Sequence, residues 1–548
     1  MDPRNEFTLS WWDYLLLILT LGSSALIGIY YSFSKKKPKT LDEYMFGSMN
    51  MPWLPILLSN VSSAISSAAI VVLPRETFYY GNQMMFIPIA ELSTLFYNYF
   101  FFLPVLLKLR FTSIFEYLEK RFNKFVRCCG SLIYFATQMM FSIITIYSAG
   151  KAVAEVLPIS FYIFTPAACM LCTVYTALGG LRGVVWVDAV QAIIMFLSIS
   201  IFIIVGIYDV GGVQKVIDTY ENGGRTDINL LDFSPFVRNS PVTTLISSFC
   251  LSLTRTVINQ GIVQRYKSLP TYRKARVISI FSHIGNATLL FLPIIFGVIM
   301  YASYHDCDPG MSKLLEDTNQ LSIYYILDKS RNIPGFIGLL IACVLSAAFS
   351  TMSTIMNSVS AVLYEDFLKP LIPWELTTVQ TNIIIKSSVI ILGIINAVCI
   401  FALDDIGSIY QGAIAGGLVS LTMSIWLGLG IQFAVSSGKI KYHTKIVSIE
   451  GCSPNITEKL DLNVTTEGYL GYVPTSFDDD LPYPYRLSFN LISFLAVITS
   501  IIVGLIVSIV SSNDEAVDES LLIPQLRKTK KDEEIFSAEE MEILNAAN

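Results

Sequence analysis

Charge is what this chain has least of. Asp, Glu, Lys and Arg make up 15% of its 548 residues, against 53% hydrophobic ones. A soluble chain carries about a quarter charged residues, so the deficit points to an integral membrane protein. Histidine is scarcer still. His283, His305 and His443 are the three in the chain, isolated from one another, which leaves no proton relay and no histidine metal site. No basic block of the kind that binds nucleic acid occurs. The nine cysteines lie mostly in apolar runs. Cys169 and Cys172 form a CxxC without a second pair or a nearby His, which reads as small apolar packing rather than metal binding. A cleavable signal peptide is not evident, because the first apolar run, 12–33, is too long and is followed, not preceded, by Lys35, Lys36 and Lys37. No Walker pattern follows Gly179-Gly180, so that pair reads as a tight turn, with Asp188 and Gln191 holding it.

What the chain has in abundance is apolar runs of about 20 residues, the length that spans a bilayer as helix. Twelve are apparent, near 12–33, 53–73, 84–107, 129–150, 159–178, 186–207, 241–262, 277–303, 335–362, 383–403, 408–434 and 487–510. Basic residues follow the first, third, fifth and seventh runs, including Lys39, Lys108, Arg110, Arg182, Arg265 and Lys267. By the positive-inside rule those exits are cytoplasmic and the N-terminus is outside. Strict alternation then puts the loop 435–486 inside. That loop carries glycosylation sequons at Asn455 and Asn463, which are modified only on the lumenal side. Either the sequons are chance or a span is missing before residue 435. The tail from 511 to 548 is charged, shows little periodicity and reads as a disordered cytoplasmic segment. Cys307 and Cys452 lie in loops that could meet, which makes a disulfide between them an option.

Several stretches carry a resemblance. FTSIFEYLEKRF (111–122), YTALGGLRGVVWVDAVQ (175–191), NQGIVQRY (259–266), DCDP (306–309) and YEDFLKP (364–370) occur in the order found in the sodium:solute symporter family. The YHDCDPG stretch resembles the branch carrying monocarboxylates, vitamins such as biotin, or iodide more than the sugar carriers. The resemblance implies an all-α polytopic membrane protein with an inverted five-plus-five helix repeat of the LeuT-like kind. The repeats would be 53–207 and 241–434, flanked by an extra N-terminal span in 1–34, the glycosylated loop 435–486 and a last span at 487–510. The family normally has thirteen spans, against twelve here. YQGAIAGGLVSLTMSIWLGLG (410–430) begins like the family's eleventh span and continues after Gln411 like its twelfth, so the resemblance implies that part of the last core helix is missing near residue 411.

The run SAAFSTMSTIMNSVSA (346–361) sets Ser346, Ser350, Ser353 and Thr354 at helical spacing, with Ala347, Ser350, Thr351 and Thr354 on another face. In a membrane helix a hydroxyl bonds the preceding turn or a neighbouring helix. A cluster this dense also suits sodium, a hard cation that takes oxygen ligands. Backbone carbonyls for such a site need a broken helix. NVSSAISSAA (60–69) is the candidate. By resemblance, the sodium site uses oxygens at Ser62, Ile65, Ala347, Ser350 and Thr351. The second sodium site of some members aligns with Ser66, Ala69, Phe141 and Ala413, of which only the first is polar, so that site is expected to be weak or absent.

Glu91 and Arg255 stand well inside apolar runs. A charge at the bilayer centre costs about 2.5–3.5 kcal/mol on the insertion scale, so both should face the protein interior or water. They can neutralise each other as a buried pair, or Arg255 can bind an anionic solute through its planar fork. By resemblance, the solute cavity is lined by Ala64, Ala69, Pro88, Ser252, Thr256, Tyr410 and Ile414. That mostly apolar set suits a small organic anion better than a sugar. The expected function is sodium-coupled uptake of such an anion, a monocarboxylate or vitamin, by alternating access at the plasma membrane. The alternatives are a transport-deficient membrane sensor and an ion channel. No nucleophile-and-base arrangement argues for an enzyme. The expected partners are Na+, the solute and the lipid bilayer, and no nucleic acid.

Overall fold

The structure is a computed structural model that describes residues 9–33, 46–47, 50–108, 112–226, 234–315, 317–330, 333–374, 376–406, 418–452, 466–469 and 473–510. Each apolar run contains helix. The principal elements are α1 (Trp11–Phe33), α2 (Trp53–Ser63), α3 (Ser67–Tyr80), α4 (Phe86–Tyr97), α5 (Lys124–Ala154) and α6 (Phe161–Val210). They continue with α7 (Pro241–Ser252), α8 (Gln260–Lys267), α9 (Tyr272–Tyr304), α10 (Phe336–Val362), α11 (Thr378–Ile406), α12 (Leu418–Ser436) and α13 (Leu491–Val510). Among the described residues seven helices are long and apolar enough to cross a bilayer, or nine when each of two bent pairs counts as one span. One part of the difference from twelve has a physical basis. The fifth and sixth runs merge into the 50-residue α6, broken only at Gly180 (φ 55°, ψ −162°), a backbone conformation that a residue without a Cβ adopts cheaply. The other two runs are the helices α12, of 19 residues, and α13, of 20, which that count leaves out.

The two bent pairs are α2 with α3, at 56°, and α7–π turn with α8, at 47°. In the first, the hydroxyls of Ser62 and Ser63 both donate to the Ser59 carbonyl, at 3.2 and 2.6 Å. Such local bonding competes with the helical ladder and favours a bend. Helical geometry lapses over Ala64–Ser66, with Ser66 extended at ψ 160°. Ser67 then donates to the Thr145 carbonyl of α5 at 2.7 Å, which fixes the start of α3. In the second pair, a π-helical turn over Leu253–Val257 precedes the break at Ile258, and Asn259 caps α8 by accepting from the Gly261 amide. π turns of this kind concentrate at functional positions.

Helix α10 lies at the centre of the bundle. Within its spanning window 94% of residues are buried, against 17% for α1. It packs on α1, α2, α5, α6 and α11. A helix apolar all round and enclosed in this way must use its hydroxyls internally.

Among the described residues, strands occur in the loop before the last span. There β1 (Ile440–Tyr442) pairs antiparallel with β4 (Thr475–Phe477), and β2 (Val447–Ser448) with β3 (Thr466–Glu467), a local departure from the all-helical expectation. This loop docks on the end of α3. Cys307 and Cys452, which the sequence allowed to meet, form a disulfide with their Cα atoms 4.9 Å apart. The Lys445 amide donates to the Tyr79 carbonyl at 2.9 Å, and Lys445 Nζ donates to the Gly224 carbonyl at 2.5 Å. Arg225 donates to the Phe78 and Ile446 carbonyls and stacks on Tyr301, 4.0 Å from the ring centroid. Cations and amides thus satisfy the carbonyls that the end of α3 leaves open. Burial pulls the Arg225 guanidinium below its ordinary pKa. Burial likewise raises the carboxyl of Asp308, which accepts from Tyr79 OH at 3.1 Å.

Candidate functional site

The break between α2 and α3 faces the hydroxyl face of α10. Ser350 Oγ donates to Ser62 Oγ at 2.8 Å, and Thr351 Oγ1 donates to the Ile65 carbonyl at 3.1 Å. Ala347 lies one turn before Thr351 and is fully buried. The five residues expected around sodium therefore sit on two facing segments, one of them a helix that has released a carbonyl. The donor set is neutral oxygen throughout, which matches a hard monovalent cation that must also leave. Among the described residues no group of three or more His, Cys, Asp and Glu is arranged to hold a metal ion.

One turn further along α10 lies a charged centre that the sequence reading placed elsewhere. Arg265 Nη2 donates to Asp188 Oδ2 at 2.8 Å, with the two side chains 1% and 0% exposed. Ser59 Oγ donates to the same carboxylate at 2.7 Å and accepts from Arg265 Nε at 2.7 Å. Thr354 Oγ1 accepts from Arg265 Nη2 at 2.5 Å and lies 3.0 Å from Ser63 Oγ. In the sequence alone Arg265 reads as a basic marker beyond the seventh run and Asp188 as a turn residue. Both readings are corrected here. The bend that creates α8 turns Arg265 inward, and Asp188 sits midway along the inner face of α6. The signal was available: Asp188 is a carboxylate in the run VVWVDAVQAIIMF, the criterion that singled out Glu91.

Glu91 and Arg255 meet, loosely. Arg255 Nη2 is 3.7 Å from Glu91 Oε2, and the two side chains are 24% and 1% exposed. Glu91 is held more closely by its other partners, Ser252 Oγ, which donates to it, and Asn286 Nδ2 at 3.2 Å. Arg255 Nε is buried and has no hydrogen-bond partner among the described residues. The guanidinium borders a cavity of about 490 Å³ lined from α5, the α7–π turn, α10 and α13, with Ser63 of α2 at its edge. Its polar walls include Thr137, Gln138, Thr254, Asn259, Thr351 and Thr354, and the rest is largely apolar. Thr351 is shared, since it also bonds the Ile65 carbonyl.

The other residues expected around the solute are placed as follows. Ala64, Pro88, Ser252 and Thr256 are buried in the bundle, Ala69 is partly buried on α3, and none of the five borders the 490 Å³ cavity. Tyr410, Ile414 and Ala413 lie outside the described residues, as do Asn455, Asn463, the junction at Gln411 and the tail from 511. Phe141, of the second sodium alignment, borders the cavity as an apolar wall.

Known proteins share this architecture. The chain is 29% identical to sodium-coupled monocarboxylate transporter 1 of Xenopus laevis, covering 93% of this chain and 87% of that one. It is 29% identical to the sodium-dependent multivitamin transporter of Oryctolagus cuniculus, covering 92% and 83%. A solved Na+-coupled sialic acid symporter in a substrate-bound, outward-open state superposes with TM-score 0.71 over 91% of this chain and 98% of that one, at 20% identity. That likeness gives the chain the inverted-repeat helical fold of LeuT-like symporters. The model of the sodium:solute symporter family matches residues 44–431. With a broken helix whose free carbonyl meets a hydroxyl-bearing partner, and with that match over most of its length, the chain is a multi-pass membrane protein of the sodium:solute symporter family.

Proposed function

We propose that the chain is a sodium-coupled symporter of a small organic anion with an apolar end, a monocarboxylate or a vitamin of similar chemistry. The observation that carries this reading is Arg255. It is a half-buried cation with an unpartnered Nε, and it borders a largely apolar cavity whose wall also contains Thr351. A guanidinium fork matches a carboxylate, and apolar walls match an alkyl or ring system. The names of the relatives point the same way. Sodium binds at Ser62, Ile65, Ala347, Ser350 and Thr351. Because Thr351 belongs to both the oxygen cluster and the cavity, ion and solute stabilise the same arrangement of α10 against α2, which is the coupling that symport requires. Glu91 is then the resident counter-ion that the solute carboxylate replaces at Arg255.

In this reading 53–207 and 241–434 are the two repeats, each opening on a broken helix, and they rock about the midplane. The N-terminus is outside, Asn455 and Asn463 are glycosylated, the tail is cytoplasmic and the plasma membrane is the site of action. A sequence junction near Gln411 shortens the last core helix.

The test is uptake of labelled lactate, pyruvate or biotin into vesicles containing the full chain, with and without an inward sodium gradient. Sodium-driven accumulation of one of them is expected. Currents without accumulation would mean a channel. Silence from correctly inserted protein would mean a sensor or a transport-deficient form.

A further inference from the structure

The wall of the cavity contributed by α13 has no counterpart in what has been assigned so far. Ser493, Ala496 and Val497, one helical turn of the last span, border the 490 Å³ cavity together with Arg255, Thr351 and Thr354. These residues lie beyond position 431, where the match to the family model ends. Their place is set by packing. Helix α13 lies against α7, the helix whose π turn carries Arg255, and against α12. Ile492, on the adjoining face of α13, is buried with Ile431 and Ala434 of α12 and with Ile440 and Leu481 of the loop. The helix is thus seated from one side by a hydrophobic cluster and presents its next turn to the cavity.

We infer that the last span forms part of the solute-binding site, with Ala496 and Val497 as the wall that receives the solute's apolar end and Ser493 as a polar group at the same level. The inference rests on the solute site proposed above. The chemistry is that of size and polarity selection. An apolar wall made of one alanine and one valine leaves room for an alkyl chain or ring, and a larger side chain there removes that room directly. Pockets of this kind discriminate solutes by the methylene groups they accommodate. The last span would then be a specificity element rather than an accessory helix.

The experiment has two arms, both in the full-length chain reconstituted in vesicles. In the first, Ser493→Cys and Val497→Cys are made in a Cys250→Ser background, because Cys250 borders the same cavity. Ile502→Cys, at a residue of α13 that is 50% exposed, serves as the lipid-side control. A water-soluble methanethiosulfonate is expected to modify positions 493 and 497 faster than the background and faster than 502. A carboxylate that the unmodified chain accumulates is expected to slow that modification several-fold. Absence of modification at both positions overturns the inference, whatever the solute is, since it places this turn away from the aqueous cavity. Modification that a transported carboxylate leaves unchanged also overturns it. In the second arm, Ala496→Phe is expected to depress uptake of longer carboxylates more than that of acetate in the same vesicles. A ratio equal to that of the unmodified chain overturns the size-selecting role, and because it is a ratio it is insensitive to expression. Failure of the functional reading shows separately, as no sodium-driven carboxylate uptake by the unmodified chain.

Discussion

The two broken helices have the same outline and opposite chemistry. At the α2–α3 break the groups that meet across it are neutral oxygens, Ser62 Oγ, the Ile65 carbonyl, Ser350 Oγ and Thr351 Oγ1, with the Asp188 carboxylate 3.5 Å from Ser63 Oγ beside them. The α7–α8 break is bracketed by cations, with Arg255 in the π turn before it and Arg265 in the helix after it. A break frees backbone groups in both cases, but the side chains supplied around it decide what it can hold. Neutral oxygens suit a cation bound weakly enough to be released, and guanidinium groups suit an anion. The two cations also differ. Every nitrogen of Arg265 has a partner among Asp188, Ser59, Thr354 and the Gly261 carbonyl, whereas Arg255 keeps an unpartnered nitrogen and borders a cavity. The first is built as structure, and the second is the one proposed to meet the solute.

That contrast can be broken most forcefully at Arg265. Arg265→Ala leaves Asp188 charged and buried without its partner, a change that costs about 3–5 kcal/mol. A large loss of correctly inserted protein, or a sharply lowered melting temperature in detergent, is expected. Arg265→Gln combined with Asp188→Asn should recover much of the loss. If the single variant is as stable as the unmodified chain, the pair is not the structural centre described here.

A smaller effect is expected at Arg255. Arg255→Gln should fold normally, because Glu91 keeps Ser252 and Asn286. Its half-saturating concentration for a carboxylate should rise roughly 10- to 100-fold, the equivalent of about 1.5–3 kcal/mol for a hydrogen bond to a charged group. Unchanged affinity would assign Arg255 to the buried pair alone and remove the anion-binding role.

The smallest of the three belongs to the neutral break. Ser350→Ala with Thr351→Ala removes two hydroxyls worth about 1 kcal/mol each. The sodium concentration for half-maximal uptake should rise roughly 10-fold or more, with solute affinity largely restored at saturating sodium. Sodium activation that is unmoved by the double change would sever the oxygen cluster from ion binding.

The hydrophobic runs, the Ser/Ala-rich centre at 60–69 and the hydroxyl face of 346–354 can be read along the chain because each is a local pattern with a direct physical cost. Long apolar runs have no stable place in water. Serines near a helix centre compete for the backbone. A hydroxyl cluster on a buried helix must find oxygen partners. The same logic marks Glu91 and Arg255 as interior charges. It marks Asp188 as well, but the meaning of that residue depends on Arg265, which lies 77 positions away in sequence. A basic residue at the end of an apolar run looks like a headgroup anchor until the bend at Ile258 redirects it.

By itself, then, the order of residues determined which segments are apolar enough to enter a bilayer, where the first bent pair yields and which helix carries the oxygen face. Only the tertiary structure decided which charges neutralise one another, which one keeps a free nitrogen, and that the last span walls the cavity. Those outcomes depend on helix bends and on the packing of distant segments, and neither is encoded in any single stretch of the chain.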